Sequence, residues 1–146
     1  MTAATALILF AHGARDPRWA QPFEAVAAEL SRLCPDESVQ LAYLEFMSPG
    51  LLEAAEAAVA RGAQQVRVVP LFLGAGGHVR KDLPELLQTL RARHPMVHFE
   101  LEQAIGERDE VVQAFEDYQA GRLGVIPAAG SNPHNAPTSV IESAGE

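Results

Sequence analysis

Residues 5 to 11, TALILFA, form an uncharged apolar run, which reads as a strand covered on both faces. A helical period follows. In PRWAQPFEAVAAELSRLC, the residues Trp19, Phe23, Val26, Ala27, Leu30 and Leu33 recur at three- and four-residue spacings and draw one apolar stripe. Pro22 suits that helix only near its start, since proline lacks the N–H and crowds the preceding turn. After the polar break at Pro35 to Glu37, SVQLAYLEF predicts a second strand over 38–46. Ser48 and Pro49 then read as the N-cap and first residue of an alanine-rich helix that Gly62 ends. The third unit repeats the scheme: QQVRVVPLFL predicts a strand, and residues 80–94 place Leu83, Leu86, Leu87 and Leu90 on one helical face, with Pro84 in the opening turn. VHFELEQ and ERDEVVQAFEDYQ supply a fourth strand and helix. Four strand-helix units predict an α/β domain, a single small four-stranded parallel sheet with helices on both faces and right-handed crossovers.

Beyond about Gly121 the sequence has neither period and is rich in Gly, Pro, Ala, Ser and Asn. The expected division is a domain over 1–118 and a flexible tail over 119–146, with His134 in the tail and without a role. The 146 residues, 48% of them hydrophobic, suffice for one core. The apolar run near the N-terminus is far shorter than the ~20 residues of a membrane span, and no basic region precedes it. A soluble cytoplasmic protein is expected. The single Cys34 belongs to no CxxC pair and forms no internal disulfide, which leaves it as a small buried residue at a helix end. A net charge of -8 argues against binding to nucleic acid or an anionic membrane, but leaves room for an anionic small molecule where cations gather.

In open parallel sheets, ligands bind beyond the carboxyl ends of the strands, where the strand order reverses. His12 follows the first strand, Glu45 ends the second and His78 stands in the loop after the third. Both separations are 33 residues, one strand-helix unit, so the three hold equivalent positions at one edge. Adjacent strand tips lie about 5 to 10 Å apart, within reach of one ion or small ligand. Two imidazoles and a carboxylate suit divalent Fe, Co, Ni or Zn, leave coordination positions open, and also serve as bases near neutral pH. The bland alternative gives each a local job: a hydrogen-bonded loop histidine, or a carboxylate emerging into solvent. His94, before a proline at a helix end, complements the helix dipole, and His98 is a strand-face residue. Four of the eleven Lys and Arg residues, Arg15, Arg18, Arg80 and Lys81, follow the two edge histidines and are suited to hold substrate carboxylates.

The glycine cluster GAGGH is not a phosphate loop: it lacks the GxxxxGK[ST] order, and a GxGxxG fingerprint needs glycine where Val79 stands. Nor is FAHG the Arg-His-Gly of histidine phosphatases, because Ala11 occupies the arginine position.

Together, LILFAHGARDPRW, LAYLEFMSPGLLEA and VVPLFLGAGGHVRKDLP resemble the small form of the CbiX family, sirohydrochlorin chelatases related to class II tetrapyrrole chelatases. The likeness covers about residues 5 to 118; Ala14 and MSPG depart from the usual residues at their positions. It implies a chelatase-like, flavodoxin-like half that inserts divalent cobalt, or iron or nickel, into sirohydrochlorin for cobalamin or siroheme biosynthesis, with metal as substrate and no permanent cofactor. It implies His12 and His78 as the essential histidines, Glu45 as the acidic ligand, and a homodimer that completes the cleft. Under this reading Gly74, Gly76 and Gly77 let a flat ring approach and the loop move, while Arg15, Arg18, Arg80 and Lys81 meet peripheral carboxylates. Two rival expectations are a non-catalytic metal or tetrapyrrole carrier using the same edge, and a nucleotide-binding module in which the histidines are incidental.

Overall fold

Strand β1 spans Thr5–Ala11, the bounds the apolar run predicts, and lies inside the sheet with a partner on each side. The computed structural model describes residues 4–124; His134 and the rest of the expected tail from 125 onward lie outside them. β2 (Ser38–Tyr43) pairs with one edge of β1, β3 (Gln65–Pro70) with the other, and β4 (His98–Leu101) with the far edge of β3. All pairings are parallel and the order is β2-β1-β3-β4. Ala11 aligns with Tyr43 and Phe10 with Pro70, so three strands finish at one level.

One face carries the main core. Alternate residues Ala6, Ile8 and Phe10 of β1, with Val66 and Val68 of β3, lie buried beneath α2 (Leu51–Ala60) and α3 (Gly77–Arg93). Ala54, Ala55 and Ala58 let α2 lie close to the strands, and Leu83, Leu87 and Leu90 carry the stripe expected of α3. On the opposite face Ala11, Ala20 and Tyr43 form a smaller cluster with Trp19, Phe23 and Leu41. A short 3-10 turn at Pro17–Ala20 leads into α1 (Gln21–Leu33), with Pro22 at its opening as predicted. The α1 stripe is less buried than its period suggests. α1 packs on β2, an edge strand, so its outer flank has no further strand to cover it, and Val26 and Leu33 stay 48% and 59% exposed. Cys34 caps α1 at the helix end as expected but is partly exposed rather than buried, since α1 lies over an edge strand.

Two helix starts differ from the predicted ones. α2 begins at Leu51 with Gly50 as its cap, because the N–H of Tyr43 donates to the Pro49 carbonyl at 2.9 Å and Gly50 bridges Tyr43, which holds Pro49 and Gly50 as extended chain beside β2. Its end is as predicted: Gly62 sits at φ +98° and donates to Val59, while Ala63 donates to Ala58, a Schellman close. α3 begins at Gly77, after an extended Gly76, rather than at residue 80. Pro84 therefore falls beyond the opening turn, and His78 belongs to the first turn of α3 rather than to the preceding loop. β2 stops at Tyr43 rather than at residue 46, since the chain turns at Phe46, whose φ is +66°. A 3-10 turn at Ile105–Glu107 precedes α4 (Asp109–Arg122), which runs past position 118. No helix of the described residues is long and apolar enough to cross a membrane.

Candidate active site

The β1–β2 ladder does not stop where the strands formally end. The N–H of Leu44 donates to the Ala11 carbonyl at 2.9 Å, and that of Glu45 donates to the His12 carbonyl at 3.1 Å. His12 and Glu45, the residues that carry an imidazole and a carboxylate, are thereby held on adjacent strand tips, both exposed to solvent. Gly13 makes this approach feasible. Its φ is +87°, and a Cβ built there would lie 1.9 Å from the Glu45 carbonyl oxygen, so any side chain would push the two tips apart.

β3 closes the other side. The N–H of Leu71 donates to the Phe10 carbonyl at 2.7 Å, which carries the ladder one residue past the end of β3. Buried Phe72 sets its ring 4.7 Å from the His12 ring, tilted by 47°, and restricts where that imidazole can swing. The chain leaves β1 toward β2 and leaves β3 toward β4, with α1 and α3 on opposite faces. The space between the ends of β1 and β3 is therefore the switch point where open α/β sheets place ligands.

His78 stands exposed in the first turn of α3, across the segment 71–76. Among the described residues no three His, Cys, Asp or Glu side chains are gathered closely enough to hold an ion, so His78 is not joined to the His12–Glu45 pair in this conformation. Gly74, Gly76 and Gly77 have open space around their α-carbons, and none has a positive φ. Packing and backbone geometry do not require glycine there.

The four cations behave differently from one another. Arg18 grips Asp16 with Nε at 3.1 Å and Nη2 at 2.7 Å from Oδ2, and this hydrogen bonding holds the Asp16 carboxyl below its ordinary range. Arg15 lies over the Phe46 ring, 5.1 Å from its centroid. Arg80 donates from Nε to the Ala75 carbonyl at 2.9 Å and from Nη2 to Glu107. Lys81 is exposed. Three of the four therefore already have a partner within the chain.

Sequence reasoning missed Gly106, Glu107 and Phe46. Gly106 donates to the Phe72 carbonyl at 2.9 Å, and a Cβ there would lie 1.8 Å from the Leu73 oxygen, so the turn after β4 buttresses the segment that leads to His78. The only sequence trace is a glycine in AIGERD, whose partner lies more than thirty residues away.

The family model for CbiX matches residues 6–120. A sirohydrochlorin cobaltochelatase from Methanopyrus kandleri is 33% identical over 82 residues, which cover 56% of this chain and 57% of the relative. The match thus spans little more than half of that curated relative. Among solved structures, a cobalamin (vitamin B12) biosynthesis CbiX protein from Marinobacter aquaeolei VT8 superposes with a TM-score of 0.68 at 35% identity, covering 82% of this chain and 98% of that one. The sirohydrochlorin chelatase SirB from Bacillus subtilis subspecies spizizenii, in complex with cobalt, superposes with a TM-score of 0.61 at 28% identity, covering 80% of this chain but only 50% of the SirB chain.

Proposed function

Because the chain belongs to the CbiX family, we propose that it inserts a divalent metal, cobalt foremost and iron or nickel as alternatives, into sirohydrochlorin. The observation that carries this reading is the hydrogen bond from the Glu45 N–H to the His12 carbonyl, which holds a carboxylate-bearing and an imidazole-bearing residue on adjoining strand tips, His12 bordering the switch point between β1 and β3. Insertion exchanges one divalent ion for the two pyrrole protons of the macrocycle, so charge is conserved at the ring. Glu45 and His12 offer the incoming metal a hard anionic oxygen and a borderline nitrogen, a donor pair suited to these ions and weak enough to give them up. His78 completes the set once the glycine-rich stretch 74–77 and the first turn of α3 move toward β1, and the two imidazoles take the departing protons. Closure of this segment also shields the exchange from water.

The cations divide the work of holding the substrate. Arg15, Arg80 and Lys81 flank the edge and are suited to peripheral carboxylates, with Gly76 and Gly77 allowing the ring to lie against the backbone. Arg18 contributes through the turn that it and Asp16 cap together. The second half of the cleft comes from another copy of the chain in a homodimer, a reading supported by SirB, whose single chain is about twice as long as the part matched here. The absence of a membrane-length helix among the described residues is consistent with a cytoplasmic setting.

The deciding experiment is an anaerobic rate assay with purified protein, sirohydrochlorin and cobalt(II), following loss of the metal-free absorption spectrum. A chelatase accelerates that loss over the protein-free rate; a carrier binds the macrocycle and leaves the rate unchanged.

A further inference from the structure

Phe46 is the one non-glycine residue with a positive φ among those described, at +66°. The N–H of Met47 donates to the Glu45 carbonyl at 2.8 Å, so Phe46 is the centre of a three-residue turn with a positive central φ, a rare and strained form. A bulky residue is disfavoured there, and glycine would fit without that cost. Nor does burial offset it: the Phe46 residue is 58% exposed, and its ring has the Arg15 guanidinium 5.1 Å from its centroid. Two costs, strain and exposed aromatic surface, thus fall on the residue that follows Glu45. Strain held at such a place points to a use outside the fold.

The surroundings indicate what that use is. Glu45 is tied to His12 through the backbone, so Phe46 follows directly on the proposed metal-delivering pair, and its ring lies against Arg15, three residues after His12. Leu44 before it is 43% exposed, and Leu73 on the segment after β3 is 84% exposed. An apolar rim therefore borders the edge, with a guanidinium lying on its aromatic member. A broad, flat, conjugated ring fringed with carboxylates matches both properties: its face stacks on an aromatic side chain, and its rim pairs with Arg15.

We propose that Phe46 and Arg15 form a docking plate for the macrocycle, Phe46 stacking against one face beside Glu45 and Arg15 turning from the Phe46 ring to a peripheral carboxylate. The inference rests on the function proposed above and adds to it the residues that set the substrate's position and select a flat polycarboxylate ring.

The test uses the full chain, with Phe46→Gly, Phe46→Tyr and Arg15→Gln beside the wild type. Affinity for metal-free sirohydrochlorin is measured by anaerobic absorbance titration, KM and kcat for cobalt insertion by the rate assay, and Tm by thermal unfolding. Phe46→Gly is expected to raise Tm, by relieving the turn, while weakening sirohydrochlorin binding about tenfold, the scale of a lost aromatic stacking contact. Its KM rises in proportion and its kcat stays within about twofold, since stacking is uniform binding. Phe46→Tyr keeps wild-type affinity, and Arg15→Gln weakens binding most at low salt. A purely structural Phe46 would give the opposite pattern, with Tm lowered and affinity unchanged. A wild-type chain that binds while Phe46→Gly binds equally well overturns this inference alone. A wild-type chain that binds no sirohydrochlorin overturns the proposed function and the inference with it.

Discussion

Gly13 shows how a residue with no chemistry of its own can decide whether a site exists. The space where its side chain would stand is filled by the Glu45 carbonyl, and its φ of +87° is one that L residues rarely adopt. Gly13→Ala is expected to cost ~2 kcal/mol or more, from strain and steric displacement together, measured as the shift in a urea unfolding midpoint at constant slope. It should also lower metal insertion, because the His12 and Glu45 tips separate. At this scale the sequence is readable where position follows from strand order. His12 and Glu45 are both strand-tip residues, and strand ends can be placed from apolar runs. Phe46 is not readable, because nothing in LEFMSP announces a positive φ, a conformation usually marked by Gly or Asn. Gly13 is readable only as a glycine: its reason, an approach of two backbones, appears once β1 and β2 are paired.

Among the elements, α3 carries His78, and beyond its buried leucine stripe it is tied at each end by charged groups. At its start Arg80 reaches the Ala75 carbonyl and Glu107, clipping the glycine-rich segment to the turn before α4. Under the proposed role, a substrate carboxylate at Arg80 shares the guanidinium with Glu107, so the two carboxylates compete. Glu107→Gln is expected to lower KM for sirohydrochlorin by about two- to fivefold, the worth of an exposed ion pair, with kcat little changed, whereas Arg80→Gln raises KM. Steady-state kinetics decide the matter by the sign of the two effects.

At its far end α3 is tied to α2, where the His94 Nε2 lies 2.7 Å from Glu56 Oε2 and Arg93 lies 3.2 Å from Oε1. The hydrogen bond from His94, followed by that from Arg93, holds the Glu56 carboxyl below its ordinary value of 4.5. A carboxyl depressed in the folded state stabilises above its unfolded value and loses that contribution as pH falls through the folded one. Tm should therefore fall as the pH drops below 4.5, and Glu56→Gln should remove part of that fall while leaving the rest of the profile alone. His94 was expected to complement the helix dipole; a carboxylate on a neighbouring helix is a tertiary partner that no local pattern reveals. Element ends were legible where the signal is local, as with β1 and the Gly62 close. The starts of α2 and α3 were not, because Gly50 and Gly76 cap with extended backbone alone and carry no side-chain signal.

For the whole molecule, the alternation of strands and helices was enough to foresee a four-stranded parallel sheet, since each unit must bury its apolar face against the next. It did not foresee how unevenly the two faces are covered. α2 and α3 seal one face, while α1 overhangs an edge strand, and α4 leaves Phe115 and Tyr118 65% and 64% exposed. Such exposed aromatic surface suits contact with a second copy. Sedimentation is expected to give about twice the 15.7 kDa chain mass; a fully active monomer would show that one copy completes the cleft.

In the proposed reaction, three side chains from three units act on one ion: His12, Glu45 and His78. The most direct test is the initial rate of cobalt insertion into sirohydrochlorin for His12→Ala, Glu45→Gln and His78→Ala, each confirmed folded by its unfolding transition. Each variant is predicted to lose about a hundredfold or more, as when a positioned base or metal-delivering group is removed. Folded His12→Ala and His78→Ala proteins that insert cobalt at the wild-type rate would contradict it.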